Sequence, residues 1–297
     1  MNRAGTQSPE SLDRLVTEAG GTSELDYELR STVELVELMS SAEETVPAAV
    51  RGAARDIGAA IDAIAERLAD GGRLVYVGAG TSGRLAALDA DECVATFGAR
   101  PGEVVALRAP DEAAEDDRIG GADAIRAAGI SERDAVVGIS ASGRTPYVAG
   151  ALEAASETGA LTVALVCAAD SELAPLADRT ITVVVGPEFI AGSTRLKAGT
   201  AQKLVLNAIS TIAMIRLGRT FGNLMVDVVP ANEKLRARVH RVVETATGAS
   251  PDEVDAALEA AGGEAKVAIV SLLGSVDAET ARSRLRAAGG SVRRAVQ

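Results

Sequence analysis

Tryptophan is absent from this chain, and phenylalanine and tyrosine contribute three residues each. A core must therefore be built from alanine, valine, leucine and isoleucine, the composition of a helix-covered parallel sheet. A single histidine, His240, rules out a multi-histidine metal centre and gives a Ser-His-Asp arrangement little support. The two cysteines, Cys93 and Cys167, supply neither a disulfide framework nor zinc-ligand spacing. No metal and no other cofactor is expected. Basic residues are outnumbered, with 30 Lys and Arg against 42 Asp and Glu, a net charge of -12. That balance argues against nucleic acid and against anionic membranes as partners. No apolar run reaches membrane length and no signal-peptide pattern is visible, so a cytoplasmic protein is expected.

Hydrophobic residues make up 47% of the 297 positions, enough for one large domain with appendages or for two domains. Residues 1–24 are polar and read as a loose arm. An apolar stripe through Val50, Ile57, Ile61, Ile64 and Leu68 predicts one helix from about 46 to 69. Apolar strands then alternate with helical patterns. Strands are expected at 73–77, 103–107, 134–139, 161–166 and 180–185, with helices at 83–95, 112–128 and 145–158 and a short one at 171–177. This is the pattern of a parallel α/β sheet covered on both faces. A long helix is expected over 193–217. Ser250-Pro-Asp-Glu253 forms a capping box that opens the first of three short helices in the tail.

Two loops carry the chemistry. In the first, Val77-Gly-Ala-Gly-Thr81-Ser82-Gly83 links an apolar strand to a helix. Glycines let backbone approach a ligand, and free N–H groups at a helix start favour an anion. The second, Ser140-Ala-Ser142-Gly-Arg-Thr145-Pro146, repeats the strand-to-helix setting with three hydroxyls. Neither loop has the lysine of a Walker A motif. Gly78-Ala-Gly80-Thr-Ser-Gly83 does match the dinucleotide fingerprint, but Glu103 begins the second strand where a ribose-binding acid should end it. Serine and threonine also cap helices, yet two such loops at strand ends point instead to one phosphate monoester.

These paired loops resemble a sugar isomerase (SIS) domain. Further blocks extend the likeness: Asp91-Glu-Cys93 with Thr96-Phe-Gly98, Ser142 to Tyr147, Gly192-Ser-Thr-Arg-Leu-Lys-Ala-Gly-Thr-Ala-Gln-Lys203, and Gly222-Asn-Leu-Met-Val-Asp227. In this order, over about 73–240, they resemble the N-acetylmuramic acid 6-phosphate etherases. The resemblance implies a three-layer αβα SIS fold with a five-stranded parallel sheet. The expected division is N-terminal arm and helices at 1–62, SIS domain at 63–226 and a C-terminal helical module at 227–297. It also implies a homodimer and a phosphorylated amino sugar as substrate, with D-lactate expelled from carbon 3 by elimination and water added in its place.

Matching by motif, Glu92 is the expected proton donor, with Asp89 and Asp91 as local rivals. Its apolar neighbours Cys93, Val94 and Ala95 predict partial burial and a raised pKa. Glu115 is the second expected acid–base residue, with Glu112 as the nearby alternative. Thr81, Ser82, Ser140, Ser142 and Thr145 are expected to hold phosphate. Ser193 and Thr194 either face the sugar or simply cap the long helix. Arg144, Arg195, Lys197 and Lys203 are candidate counter-charges or surface residues. Cys93 reads as packing, and His240 as a surface or interface residue. The sequence departs from the family pattern in three places. Val94-Ala95 stand where two prolines are usual, the stretch from Leu107 to Glu115 is short, and Ala19-Gly-Gly-Thr22 replaces the family's Arg-Asn. A non-catalytic phosphosugar sensor or kinase regulator on the same domain is the alternative function.

Overall fold

The computed structural model describes residues 26–228 and 233–297, so the arm read at 1–24 lies outside the described residues. Five strands form one sheet: β1 (Leu74–Gly78), β2 (Val104–Arg108), β3 (Ala135–Ser140), β4 (Leu161–Val166) and β5 (Arg179–Thr182). Their order is β2-β1-β3-β4-β5, and all four pairings are parallel. Strands β1, β3 and β4 are buried at every position, as their mainly apolar composition requires.

Helices cover both faces. Helices α1 (Thr32–Glu43), α2 (Thr45–Gly52) and α3 (Ala54–Ala69) precede the sheet, and α4 (Gly80–Phe97) follows β1. Next come α5 (Arg118–Ala127), α6 (Pro146–Glu157) and α7 (Lys197–Arg216). On one face, Ile61 and Ile64 of α3, Phe97 of α4 and Ile209 of α7 pack with Tyr76 and Ile139 of the sheet. On the other, Ile125 of α5 and Leu152 of α6 pack with Val75, Val77 and Val136. Tyr76 thus faces one layer while its neighbours face the other, the two-residue period of a strand.

The expected strands agree with the observed ones to within a few residues. The helices differ more, and the short one expected at 171–177 is only a 3-10 turn at Ala174–Leu176. The predicted helix from 46 to 69 is broken at Ala53, whose ψ of 7° leaves the helical range, although its stripe stays buried at Ile57, Ile61, Ile64 and Leu68 and is partly buried at Val50. The helix predicted from 112 begins only at Arg118. The Asp117 carboxylate accepts from Gly120 N at 2.9 Å and caps it there, while Ala113–Asp116 form a 3-10 turn. The helix predicted from 193 begins at Lys197, as described below.

Beyond α7 a hairpin pairs β6 (Thr220–Phe221) with β7 (Leu224–Met225). The tail holds α8 (Glu233–Thr247), α9 (Pro251–Ala260), α10 (Ala265–Gly274), α11 (Ala278–Ala287) and α12 (Val292–Ala295). They share a separate apolar cluster that includes Val226, Val243, Val254 and Ile269. The Ser250–Glu253 capping box is present as expected, with Glu253 Oε2 accepting from Ser250 N at 2.8 Å.

The amino ends of the strands are tied by buried carboxylates. Asp134, before β3, accepts from Arg73 Nη2 at 2.8 Å and from the backbone N of Arg73 and of Ser131 at 2.9 Å each. Glu103, before β2, accepts from Arg219 Nη2 at 2.6 and 2.8 Å. Burial pushes the Asp134 carboxyl up, but these hydrogen bonds win and hold it below its ordinary value.

Helices α5 and α6 meet through glycine. A Cβ on Gly121 would overlap the carbonyl of Tyr147, and one on Gly150 the carbonyl of Arg118. This close approach brings the turn before α5, which carries Glu115, against the start of α6 and the Ser140 loop that leads into it. Gly150→Ala should force the helices apart and lower stability by about 1–3 kcal/mol, the usual cost of overpacking. Urea unfolding would measure it, and an unchanged midpoint would show that the close approach is dispensable.

Candidate active site

The winding of the sheet reverses next to β1. From β1 the chain crosses to β2 on one side, then returns to β3 on the other. Loops leaving the carboxyl ends of β1 and β3 therefore diverge, and the crevice between them is where ligands bind in such sheets. Gly78 ends β1 opposite Ile139, one residue before Ser140. Both hydroxyl loops thus flank this crevice, as their sequence positions imply.

Helix α4 starts at Gly80, three residues earlier than periodicity suggests. Gly80 has φ of 51°, and no side chain caps the helix start. The N–H groups of that first turn and the positive end of the helix dipole suit an anion. Across the crevice, Ser140 Oγ lies 2.8 Å from Thr145 Oγ1 and 3.3 Å from Ser142 Oγ, and it accepts from Gly143 N at 3.0 Å. Gly143 has φ of 70°, which lets this loop close on itself. Ser82, on α4, donates to Gln202 Oε1 on α7 at 2.9 Å.

Glu115 joins this group. Thr145 Oγ1 donates to Glu115 Oε1 at 3.4 Å, and a Cβ on Gly80 would stand 3.9 Å from Glu115 Oε2. One carboxyl group therefore touches the β3 loop and borders the β1 loop. Burial pushes the Glu115 carboxyl above its ordinary value; Thr145 opposes this, while Asp116 and Glu112 add to it. Glu112 itself is exposed.

Glu92 needs a correction. It is exposed, so its apolar neighbours do not bury it. Cys93 and Phe97 turn into the core instead, while Glu92 and Val94 face outward. Twelve residues of helix separate it from Gly80, about 18 Å of rise. The structure does not bring it to the loops of its own chain. Its rival Asp89 is buried in the core, accepting from Tyr76 Oη at 2.9 Å and from Ser210 Oγ at 3.0 Å.

The candidate counter-charges are largely engaged elsewhere. Arg144 pairs with Asp170 at 3.1 Å, and the buried Lys197 donates from Nζ to the Pro187 carbonyl at 3.2 Å. Arg195 and Lys203 are exposed. Ser193 and Thr194 sit in a turn before α7 and do not cap it. The buried Glu188 carboxylate does so, accepting from Lys197 N at 2.8 Å and Ala198 N at 3.0 Å. Sequence reading passed over Glu188 because nine residues separate it from the helix it caps. The Ser193 turn is also held from outside: Tyr27 stacks on Phe189 at 4.7 Å between ring centroids. Cys93 is buried as expected, and burial pushes its thiol up to about 12. His240 lies 3.1 Å from Asp255 on the tail's surface.

Residues 121–212 match the model of the SIS domain, and residues 56–156 match that of the glucokinase regulatory protein N-terminal SIS domain. The sheet and its crevice define a SIS-domain protein. The chain is 55% identical over 295 residues to an N-acetylmuramic acid 6-phosphate etherase of Rubrobacter xylanophilus, covering 97% of each. It is 53% identical to one of Streptomyces avermitilis, covering 96% of this chain and 94% of that one. An Escherichia coli etherase is 47% identical, with 95% and 97% covered. The chain belongs to the N-acetylmuramic acid 6-phosphate etherase family.

The raised Glu115 pKa has a stability consequence. Below the unfolded carboxyl's pKa the group is protonated in both states and costs nothing. As pH rises through the folded value, ionising it in its half-buried site destabilises the fold. Glu115→Gln should therefore melt higher than the parent near pH 8 and at the same temperature near pH 3.5. Calorimetry at both pH values tests this; a lower melting temperature near pH 8 would contradict the burial argument.

Proposed function

We propose that the chain cleaves the D-lactyl ether of N-acetylmuramic acid 6-phosphate, giving N-acetylglucosamine 6-phosphate and D-lactate. Family membership over nearly the whole chain supports the reaction. The observation that carries it is the Glu115 carboxyl lying against the hydroxyl cradle. The 6-phosphate binds the first turn of α4 and the hydroxyls of Thr81, Ser82, Ser140, Ser142 and Thr145. Ser193 and Thr194 line the sugar side of the same crevice.

An ether resists direct hydrolysis, so the sugar first opens to its aldehyde. The carbon 2 proton is then acidic because it lies α to a carbonyl. Glu115 takes that proton, the bond from carbon 3 to the lactate oxygen breaks, and that oxygen gains a proton to leave as D-lactate. Water then adds across the resulting double bond, its oxygen to carbon 3 and a proton to carbon 2. A carboxyl with an elevated pKa suits proton traffic of this kind.

Glu92 is the second carboxyl, donating the proton to the departing lactate. It acts across a homodimer, from the subunit opposite the one that holds the phosphate. Its exposure and its distance along α4 support this. So does Leu88, one turn before it on the same face of α4 and 46% exposed. The match to a kinase-regulator domain at 56–156 favours a phosphosugar sensor as a second reading, but such a sensor has no use for a proton-moving pair.

Incubation with N-acetylmuramic acid 6-phosphate should release D-lactate; tight sugar-phosphate binding without lactate would favour the sensor. Glu92→Ala and Glu115→Ala should each abolish turnover while retaining phosphosugar binding. Mixed and reassembled, the two variants should regain about a quarter of parental activity, because half the dimers are mixed and each has one complete site. No recovery in verified mixed dimers would place both carboxyls in one chain's site.

A further inference from the structure

Gln202 has no role in the reaction as derived above, yet its side chain holds an unresolved contradiction. It lies on α7, 1% exposed, one turn after Gly199, which packs beside the Thr81 side chain. Its Oε1 accepts the proton of Ser82 Oγ at 2.9 Å. Its buried Nε2 has no hydrogen-bond partner among the described residues. A buried amide that leaves its NH2 unpaired is costly, on the order of 1–3 kcal/mol. The arrangement also disables Ser82, because a hydroxyl has one proton to give and here Gln202 receives it. A phosphate dianion offers only acceptors, so Ser82 so bonded cannot donate to it.

The second problem disappears if the amide turns over, a change that alters the shape of the side chain hardly at all and leaves Oε1 in place of Nε2 as the atom without a partner. Nε2 then donates to Ser82 Oγ, and the Ser82 proton is released toward the mouth of the crevice. We propose that Gln202 is a positioning residue of the phosphate cradle: its amide donates to Ser82 and so commits the one Ser82 proton to the substrate phosphate. Gln202 acts through Ser82 and does not touch the reacting atoms. This rests on the phosphate reading of the cradle and extends it to α7, outside either hydroxyl loop.

Titration calorimetry with N-acetylglucosamine 6-phosphate tests the idea on the full chain without needing turnover. Ser82→Ala should weaken binding, and Gln202→Met, of similar volume but without hydrogen bonds, should weaken it by about tenfold, within the range of one lost charge-assisted bond. The double variant should bind as Ser82→Ala alone does, since the glutamine has nothing left to orient. Unfolding temperatures of the variants identify any that fail to fold, in which case Gln202→Leu repeats the cycle. Parental affinity in Gln202→Met, or losses that add in the double variant, would overturn the proposal while leaving the cradle standing. Parental affinity in Ser82→Ala would overturn cradle and proposal together. Absence of lactate release bears only on the etherase reading.

Discussion

The reversal of winding beside β1 is the constraint on which the rest of the molecule depends. A parallel sheet wound in one direction would send successive loops side by side, with no gap between them. Here the crossover from β1 runs to β2 and the return runs to β3, so two strand ends open onto a common crevice. The Gly80 turn, the Ser140 loop and the Glu115 turn all leave the sheet at that end. Helices α5 and α6 can only serve the site because glycines at 121 and 150 let them touch. Tertiary geometry therefore assembles groups that lie up to about sixty residues apart in sequence.

The anion site proposed for this crevice draws on few formal charges beyond Arg84, which donates to Thr81 Oγ1 at 3.2 Å. Arg144 and Lys197 turn to other partners, and the loops present hydroxyls and backbone N–H groups. Such donors sit on rigid elements and need no flexible side chain to be ordered, so they orient a tetrahedral group well. They also reconcile an anionic ligand with a chain of net charge -12, because selectivity arises within a few ångströms of the donors.

Much of this was legible in the sequence for physical reasons. The strands announced themselves because a doubly covered sheet demands continuous apolar runs. Both hydroxyl loops stood where strand-end chemistry needs them, and Ser250-Pro-Asp-Glu253 specified its own capping box. What escaped was non-local. Glu188 caps α7 from across a loop, so the start of α7 was read four residues early. Gln202 stood within a quoted motif, but its contact with Ser82 spans 120 positions. The exposure of Glu92 depends on which face of α4 meets α7, and local apolarity misjudged it.

Returning to the buried Asp134 at the amino ends of the strands, its relation to protons is the reverse of that of Glu115 at the carboxyl ends. The Asp134 carboxylate is favoured by folding, so it contributes stability above the unfolded pKa and loses it as pH falls through the folded value. Glu115 is disfavoured as a carboxylate by the same fold. Acidification therefore loosens the tie before β3 and relieves the cost of the Glu115 carboxylate. The carboxyl before β3 thus keeps its charge, while the one in the turn after β2 resists it.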